Sequence, residues 1–233
     1  RARIYLQDVA TGTVRQLGTG PGFSMFPAWS PDSKTLVYSH GHLPKTAFQT
    51  VASAQPGWTG SHLNKIDKSL KESLNGINIW AVSVAGGTPQ QLTGGMHCEY
   101  TPEVTPDGKA VVFCGRPQIR MPRDLYRAER VGDGWGEPVK LFSGMYATST
   151  LDGSLYYTIE SEGNDYGAIV KRTWSGSEYG EPVVVPGEGI NTDAPDAHPW
   201  ISPEEDLLVF DSYRDPGMGI YASFRRADGS WSK

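Results

Sequence analysis

The sequence predicts an all-β chain of four-stranded antiparallel blades packed side by side as a β-propeller. Three observations carry this reading. A tight-turn motif returns at a regular interval, a second strand–turn–strand unit alternates with it, and turn-forming residues are in excess. Gly and Pro number 28 and 17, together about a fifth of the 233 residues, against an average usage of about 12%.

The first unit is a hairpin. Phe26-Pro27-Ala28-Trp29-Ser30-Pro31-Asp32, Thr101-Pro102-Glu103-Val104-Thr105-Pro106-Asp107 and His198-Pro199-Trp200-Ile201-Ser202-Pro203-Glu204 superpose without gaps. A degenerate copy runs from Tyr146 to Gly153, with Ala147 where the others carry proline. Pro presets φ in such a turn, and Asp and Gly accept its unusual angles. A short apolar run follows each turn, at Thr35 to Tyr38, Ala110 to Cys114, Ser154 to Ile159 and Leu207 to Phe210.

The second unit opens with Ile4-Tyr5, Ile79-Trp80, Leu125-Tyr126, Ile169-Val170 and Ile220-Tyr221. A Gly-rich turn follows, then a strand such as Val14 to Leu17, Gln90 to Leu92 or Pro138 to Leu141. Trp135-Gly136-Glu137-Pro138 and Tyr179-Gly180-Glu181-Pro182 are copies of one another. Both markers return every 44 to 52 residues, apart from one interval of 75. Four short strands at that period are the signature of propeller blades. A β-sandwich also uses short strands but does not require two hairpins alternating at one period.

With strands labelled A to D and the Pro-Asp turn joining A to B, the chain opens on a C–D pair. Three complete blades follow, then strands A, B and C of another. Blade material is assigned to 1–18, 23–94, 97–142, 144–187 and 190–233 of a single domain, about 4.5 to 5 blades. This inventory does not close by exchange between its ends, so the expectation is part of a larger propeller. A five-bladed ring with a defective first blade is the alternative. One B–C connection carries an insertion at about 41–76. There Ser61 as cap and Leu63, Ile66, Leu70 and Leu74 at three-to-four spacing predict a helix ended by Asn75-Gly76.

The run from Phe26 to Lys34 followed by Leu36-Val37-Tyr38-Ser39 resembles the WD40-like (PD40) repeat of TolB-like propellers. Ile190-Asn191-Thr192, Ala197-His198-Pro199, Phe210-Asp211-Ser212-Tyr213-Arg214 and Ala222-Ser223-Phe224-Arg225 resemble the variant in exported bacterial proteins of that class. The resemblance spans nearly the whole chain outside residues 43–76. It implies a periplasmic or secreted propeller. It is specific for fold and weak for function, since such propellers serve binding, lyase and peptidase-associated roles.

The formal net charge is −5, with no Lys/Arg block, which argues against a nucleic-acid or anionic-membrane surface. No window approaches the roughly 18 uncharged apolar residues of a spanning helix. No Gly-x-Ser-x-Gly elbow, phosphate-binding loop or dinucleotide fingerprint occurs. Cys98 and Cys114 lie near each other on adjacent strands without being directly opposed, which leaves a disulfide and two buried thiols both open.

Candidate binding residues gather on the face of the D–A and B–C loops. His97, Glu99 and Tyr100 are read as preceding one A strand, and Asp193, Asp196 and His198 as preceding another. Arg116, Arg120 and Arg123 fall in one B–C connection and Arg214 in another, while His40 and His42 open the insertion. Phe26, Thr101, Tyr146 and His198 are equivalent by alignment and are expected to ring the mouth of the central channel. Tyr100, Tyr146 and Trp58 suit stacking on sugars or packing against a peptide. Arg116 and Arg214 suit carboxylates of an acidic glycan or a protein partner, with at least one expected to be a structural donor instead. No cofactor is expected; the alternative is a divalent metal on His97 and His198 with Glu99 or Asp196. The leading reading is a protein- or glycan-binding module. Its rivals are an enzyme resembling oligogalacturonate lyase and the propeller portion of a prolyl-oligopeptidase-like peptidase.

Overall fold

The computed structural model describes residues 2–18, 22–41, 76–95, 98–117, 122–132, 134–159, 167–215 and 217–232. A two-stranded antiparallel ribbon, β1 (Ile4–Gln7) and β2 (Val14–Leu17), comes first. The first full sheet contains β3 (Phe23–Trp29), β4 (Thr35–Gly41), β5 (Asn78–Ser83) and β6 (Gln90–Gln91) in sequential order. The second contains β7 (Cys98–Val104), β8 (Ala110–Arg116) and β9 (Asp124–Val131), with β10 (Gly134–Trp135) and β11 (Val139–Ser143) both pairing to β9. The third is β12 (Met145–Ser149), β13 (Leu155–Thr158), β14 (Ile169–Arg172) and β15 (Val183–Val184). The last is β16 (Asp196–Ile201), β17 (Leu207–Asp215) and β18 (Gly217–Phe224).

The expected inventory is present among the described residues: a C–D pair, three complete sheets and an A–B–C sheet. The equivalence of Trp231 with Trp135 also holds, because Trp135 pairs with Arg130 and Trp231 bridges Arg225. The helix expected in the insertion lies outside the described residues. Among those residues no helix is long and apolar enough to cross a membrane.

Four A–B turns share one chemistry. In each, the residue three after the Ser or Thr returns its N–H to that residue's carbonyl: Ser33 to Ser30, Gly108 to Thr105, Gly153 to Thr150 and Glu205 to Ser202. All four of these closing residues have positive φ. The Ser or Thr hydroxyl donates to a turn carboxylate, as from Ser30 to Asp32, Thr105 to Asp107 and Ser202 to Asp206. Such side-chain bonds let the backbone leave the ladder without stranding polar groups.

Packing follows the two-residue period of the strands. Val111 and Phe113 join Val37, Ile79 and Val104 in a core between the first and second sheets. Val112 and Cys114, alternating with them on β8, join Met145, Leu155 and Tyr157 in the core between the second and third. Tyr156 and Ile169 meet Ile201, Leu208 and Phe210 between the third and fourth. Ile4 and Leu17 of the ribbon meet Leu36, Tyr38 and Val82 of the first sheet. The first strands of consecutive sheets also touch in series, β3 with β7, β7 with β12 and β12 with β16, so these are the strands that converge on the propeller axis.

Gly153 shows how closely a turn abuts its neighbour. An added Cβ would lie 2.9 Å from the Trp174 ring, and φ there is 87°. Gly153→Ala is expected to destabilise the protein by about 2 kcal/mol or more, lowering Tm by about 4–8 °C. Gly12→Ala meets only open space and is expected to cost about 1 kcal/mol from φ alone. Equal shifts for the two in thermal melts would contradict this account.

Candidate functional site

Each first strand carries a bulge at the same place. The register slips between Met25 and Ala28, Tyr100 and Glu103, Met145 and Thr148, and Ala197 and Trp200. Two residues there oppose one: Phe26-Pro27 against Tyr38, Thr101-Pro102 against Phe113, Tyr146-Ala147 against Tyr157, and His198-Pro199 against Phe210. The leading residues Phe26, Thr101, Tyr146 and His198 have φ of 53°, 49°, 56° and 49°. That left-handed conformation costs a non-glycine residue about 1–2 kcal/mol. Proline follows in three of the four because a bulge frees one residue from the ladder, where a missing N–H does no harm. The opposed aromatic ring is buried in every case.

This geometry assembles part of the expected site. The Tyr146 and His198 rings lie 3.8 Å apart between centroids, and Tyr100 stands 6.5 Å from Tyr146 on the other side. His198 Nδ1 is 3.0 and 2.9 Å from the two carboxylate oxygens of Asp211 on β17. A buried carboxylate on one imidazole nitrogen fixes the ring's orientation and tautomer. The His198 side chain is 37% exposed, and Phe26 is 45% exposed. Asp211 entered the sequence reading only as part of a motif; the bulge, by displacing His198, brings it over this partner.

Other expected residues are placed elsewhere. Glu99 is fully buried between the first and second sheets, where the Thr93 hydroxyl donates to its Oε2. Its Oε1 accepts no hydrogen bond among the described residues, and burial pushes its carboxyl up to about 7. Asp196 is likewise buried and accepts from Thr192 N at 2.8 Å. Arg214 reaches Asp196 at 3.1 Å, Gly189 O at 2.9 Å and Ser212 Oγ at 2.9 Å, and lies 4.2 Å over Tyr221. Arg214 is therefore occupied by bonds within and just before the fourth sheet rather than by a donor bond from blade to blade. Arg116 sits opposite Cys98 in the ladder, with its Nε buried and unbonded among the described residues. Arg123 donates to Met145 Sδ at 3.0 Å. His40 accepts from or donates to Ser24 Oγ at 2.9 Å.

Cys98 and Cys114 are unbonded thiols. The ladder pairs Cys98 with Arg116 and Tyr100 with Cys114, the offset read from the sequence. Burial pushes Cys98 up to about 11 and Cys114 up to about 12, so both are protonated at neutral pH. His97, His42, Trp58 and Arg120 lie outside the described residues. Among those described, no three His, Cys, Asp or Glu side chains are placed to hold a metal ion.

No protein-family model matches the chain. Over 126 residues it is 31% identical to the Tol-Pal system protein TolB of Francisella tularensis subsp. holarctica, strains OSU18 and LVS. That stretch covers 47% of this chain and 29% of the relative. A TolB-assigned structure from Agrobacterium tumefaciens superposes with a TM-score of 0.65 at 18% identity, over 98% of this chain and 67% of that one. TolB from Acinetobacter baumannii gives 0.63 at 18% identity, over 98% and 51%. The chain shares the β-propeller fold of these TolB structures. The matched stretch spans less than a third of the curated relatives' length, and the solved structures at these identities speak for fold.

Two carboxyls raised by burial, Glu99 and Glu103, make the propeller's stability depend on pH. Glu99 is raised to about 7 by burial, above its unfolded value of about 4.3. Glu103, which receives an N–H bond from Ser149, is raised by burial to about 7 as well. Folding therefore favours the protonated acids. The contribution of these two acids to stability is greatest below about pH 4 and is lost as pH rises through 7, by on the order of 3 kcal/mol for Glu99. Glu99→Gln is expected to flatten about half of this dependence and to raise Tm at pH 8. Denaturation curves of unchanged pH slope in the variant would exclude Glu99 as the cause.

Proposed function

We propose that the TolB-like propeller is an extracytoplasmic protein-binding module whose recognition surface is the D–A end of its first strands. The observation that carries this reading is the set of four equivalent bulges. Each spends conformational energy to hold a side chain rather than glycine on the strands nearest the axis, and strain of that kind concentrates at functional positions. The side chains so held are Phe26, Thr101, Tyr146 and His198, with Tyr100 beside them. An aromatic cluster with few charges suits the desolvated centre of a protein interface. The likeness to a Tol-Pal system protein supports a protein partner in an assembly of that type, and with it a periplasmic location. The reading invokes no metal and no covalent chemistry. Arg116, on the B–C side of the second sheet, is a cation that could meet an acidic partner.

Calorimetric titration with the Pal protein of the same organism tests this. Tyr146→Ala is expected to weaken binding at least tenfold, about 1.4 kcal/mol or more. Phe26→Gly is expected to weaken it similarly while leaving Tm within about 4 °C, because glycine relieves the positive φ and the Phe26 ring is half exposed. Wild-type affinity in both variants would overturn the assignment of the surface. Binding of an acidic oligosaccharide in place of the protein would overturn the partner class.

A further inference from the structure

Glu205 closes its A–B turn with φ of 61° and reaches back across the boundary between the third and fourth sheets. The Tyr156 hydroxyl donates to its carboxylate, Lys171 Nζ lies 2.5 Å away and Arg225 Nη1 lies 2.7 Å away. Arg225 in turn stands 5.5 Å over the Trp231 ring. A carboxylate, an arginine and a tryptophan thus fill this boundary on the turn side of the propeller.

The same framework recurs between the first and second sheets with its contents removed. Arg130 takes the place of Arg225: each donates its backbone N–H at 2.7 Å to the residue after the turn, Lys109 O and Asp206 O respectively. Arg130 stands 5.9 Å over Trp135, the counterpart of Trp231. The position of Glu205 is held by Gly108, with φ of 69° and nothing within 4 Å of an added Cβ. The positions of Tyr156 and Lys171, paired across β13 and β14, are held by Val37 and Ala81, paired across β4 and β5. At the boundary between these two, Arg127 and Trp174 supply the bulk, stacked at 5.2 Å. A cleft of about 370 Å³ opens between the first and second sheets, lined by Arg130, Trp135, Val37, Ala81 and the turn carboxylates Asp32 and Asp107.

We propose that this cleft is a binding site for a free α-amino acid with an aliphatic side chain. Its carboxylate would pair with Arg130 as Glu205 pairs with Arg225, since guanidinium grips carboxylate bidentately. The aliphatic side chain would cover Val37 and Ala81. The ammonium would face Asp32 and Asp107, whose Oδ1 atoms are held by Lys34 N at 3.0 Å and Lys109 N at 2.9 Å. Those turn bonds leave the second carboxylate oxygen of each for other partners; that of Asp107 lies 3.8 Å from the exposed Lys109 Nζ. A zwitterion matches a cleft that carries both signs of charge against an apolar wall. The site lies on the side opposite the bulge cluster and does not depend on that reading.

Titration of the full-length protein with L-leucine, leucinamide and N-acetyl-leucine tests the proposal. Saturable binding of leucine is expected, at least tenfold tighter than either derivative, because each lacks one charge. Arg130→Gln is expected to weaken leucine at least tenfold without changing Tm beyond a few degrees. Gly108→Glu is expected to abolish binding, because its own carboxylate reaches Arg130 as Glu205 reaches Arg225; far-UV circular dichroism and Tm establish that it folds. Absence of saturable leucine binding at millimolar concentration overturns the proposal. So does leucine binding that survives both variants, or leucinamide binding as tightly as leucine.

Discussion

Each of the three complete sheets of this propeller packs a neighbour on both faces, and the second strand of each shows the constraint most plainly. On β8, Val111 and Phe113 belong to one core while Val112 and Cys114 belong to the next. No residue of that run has a solvent side, so a sheet cannot satisfy its own apolar surface and depends on two neighbours. Stability in such a stack is approximately a sum of sheets and nearest-neighbour boundaries. The turns must then be short and self-satisfied, because they close within the thickness of one sheet. The Ser or Thr hydroxyls and turn carboxylates achieve this with local bonds that ask nothing of the adjoining sheets.

The bulge is the second regular departure from a plain ladder, and its parts divide the work. A proline or alanine fills the second position without needing a ladder donor, and a buried aromatic ring opposite fixes the displaced backbone. The first residue is then held in a conformation chosen by its neighbours rather than by its own preference. That is why residues as different as Phe26, Thr101, Tyr146 and His198 share φ to within 7°.

The fold was legible because turn chemistry and strand period are both local. Pro-Asp turns, the alternating second unit and the Trp135–Trp231 equivalence each survive as hydrogen-bonded pairs. The site was legible only in part. The alignment placed Tyr146 and His198 in equivalent positions, and sheet-to-sheet packing makes them neighbours. Period two should have separated Glu99 from Tyr100, since adjacent residues face opposite sides; Glu99 accordingly enters the boundary with the first sheet. Asp196 and Arg214 carry the residue types of a binding site but satisfy each other inside the fourth sheet. The pairing of His198 with Asp211 follows from a one-residue slip that no periodicity announces. The registers of the two cysteines, by contrast, needed only index arithmetic within one hairpin.

The bulge backbone is set by the residue after it and the ring across from it rather than by the presented side chain itself, although Tyr146 also packs against the core between the second and third sheets. Substitution at half-exposed Phe26, which belongs to none of the four cores, changes what the molecule displays while removing little from its packing. The four positions behave as interchangeable slots on a common mount, each open to drift or selection on its own. A lineage of such propellers can therefore change what it displays there by rewriting four letters, with the blades around them inherited intact.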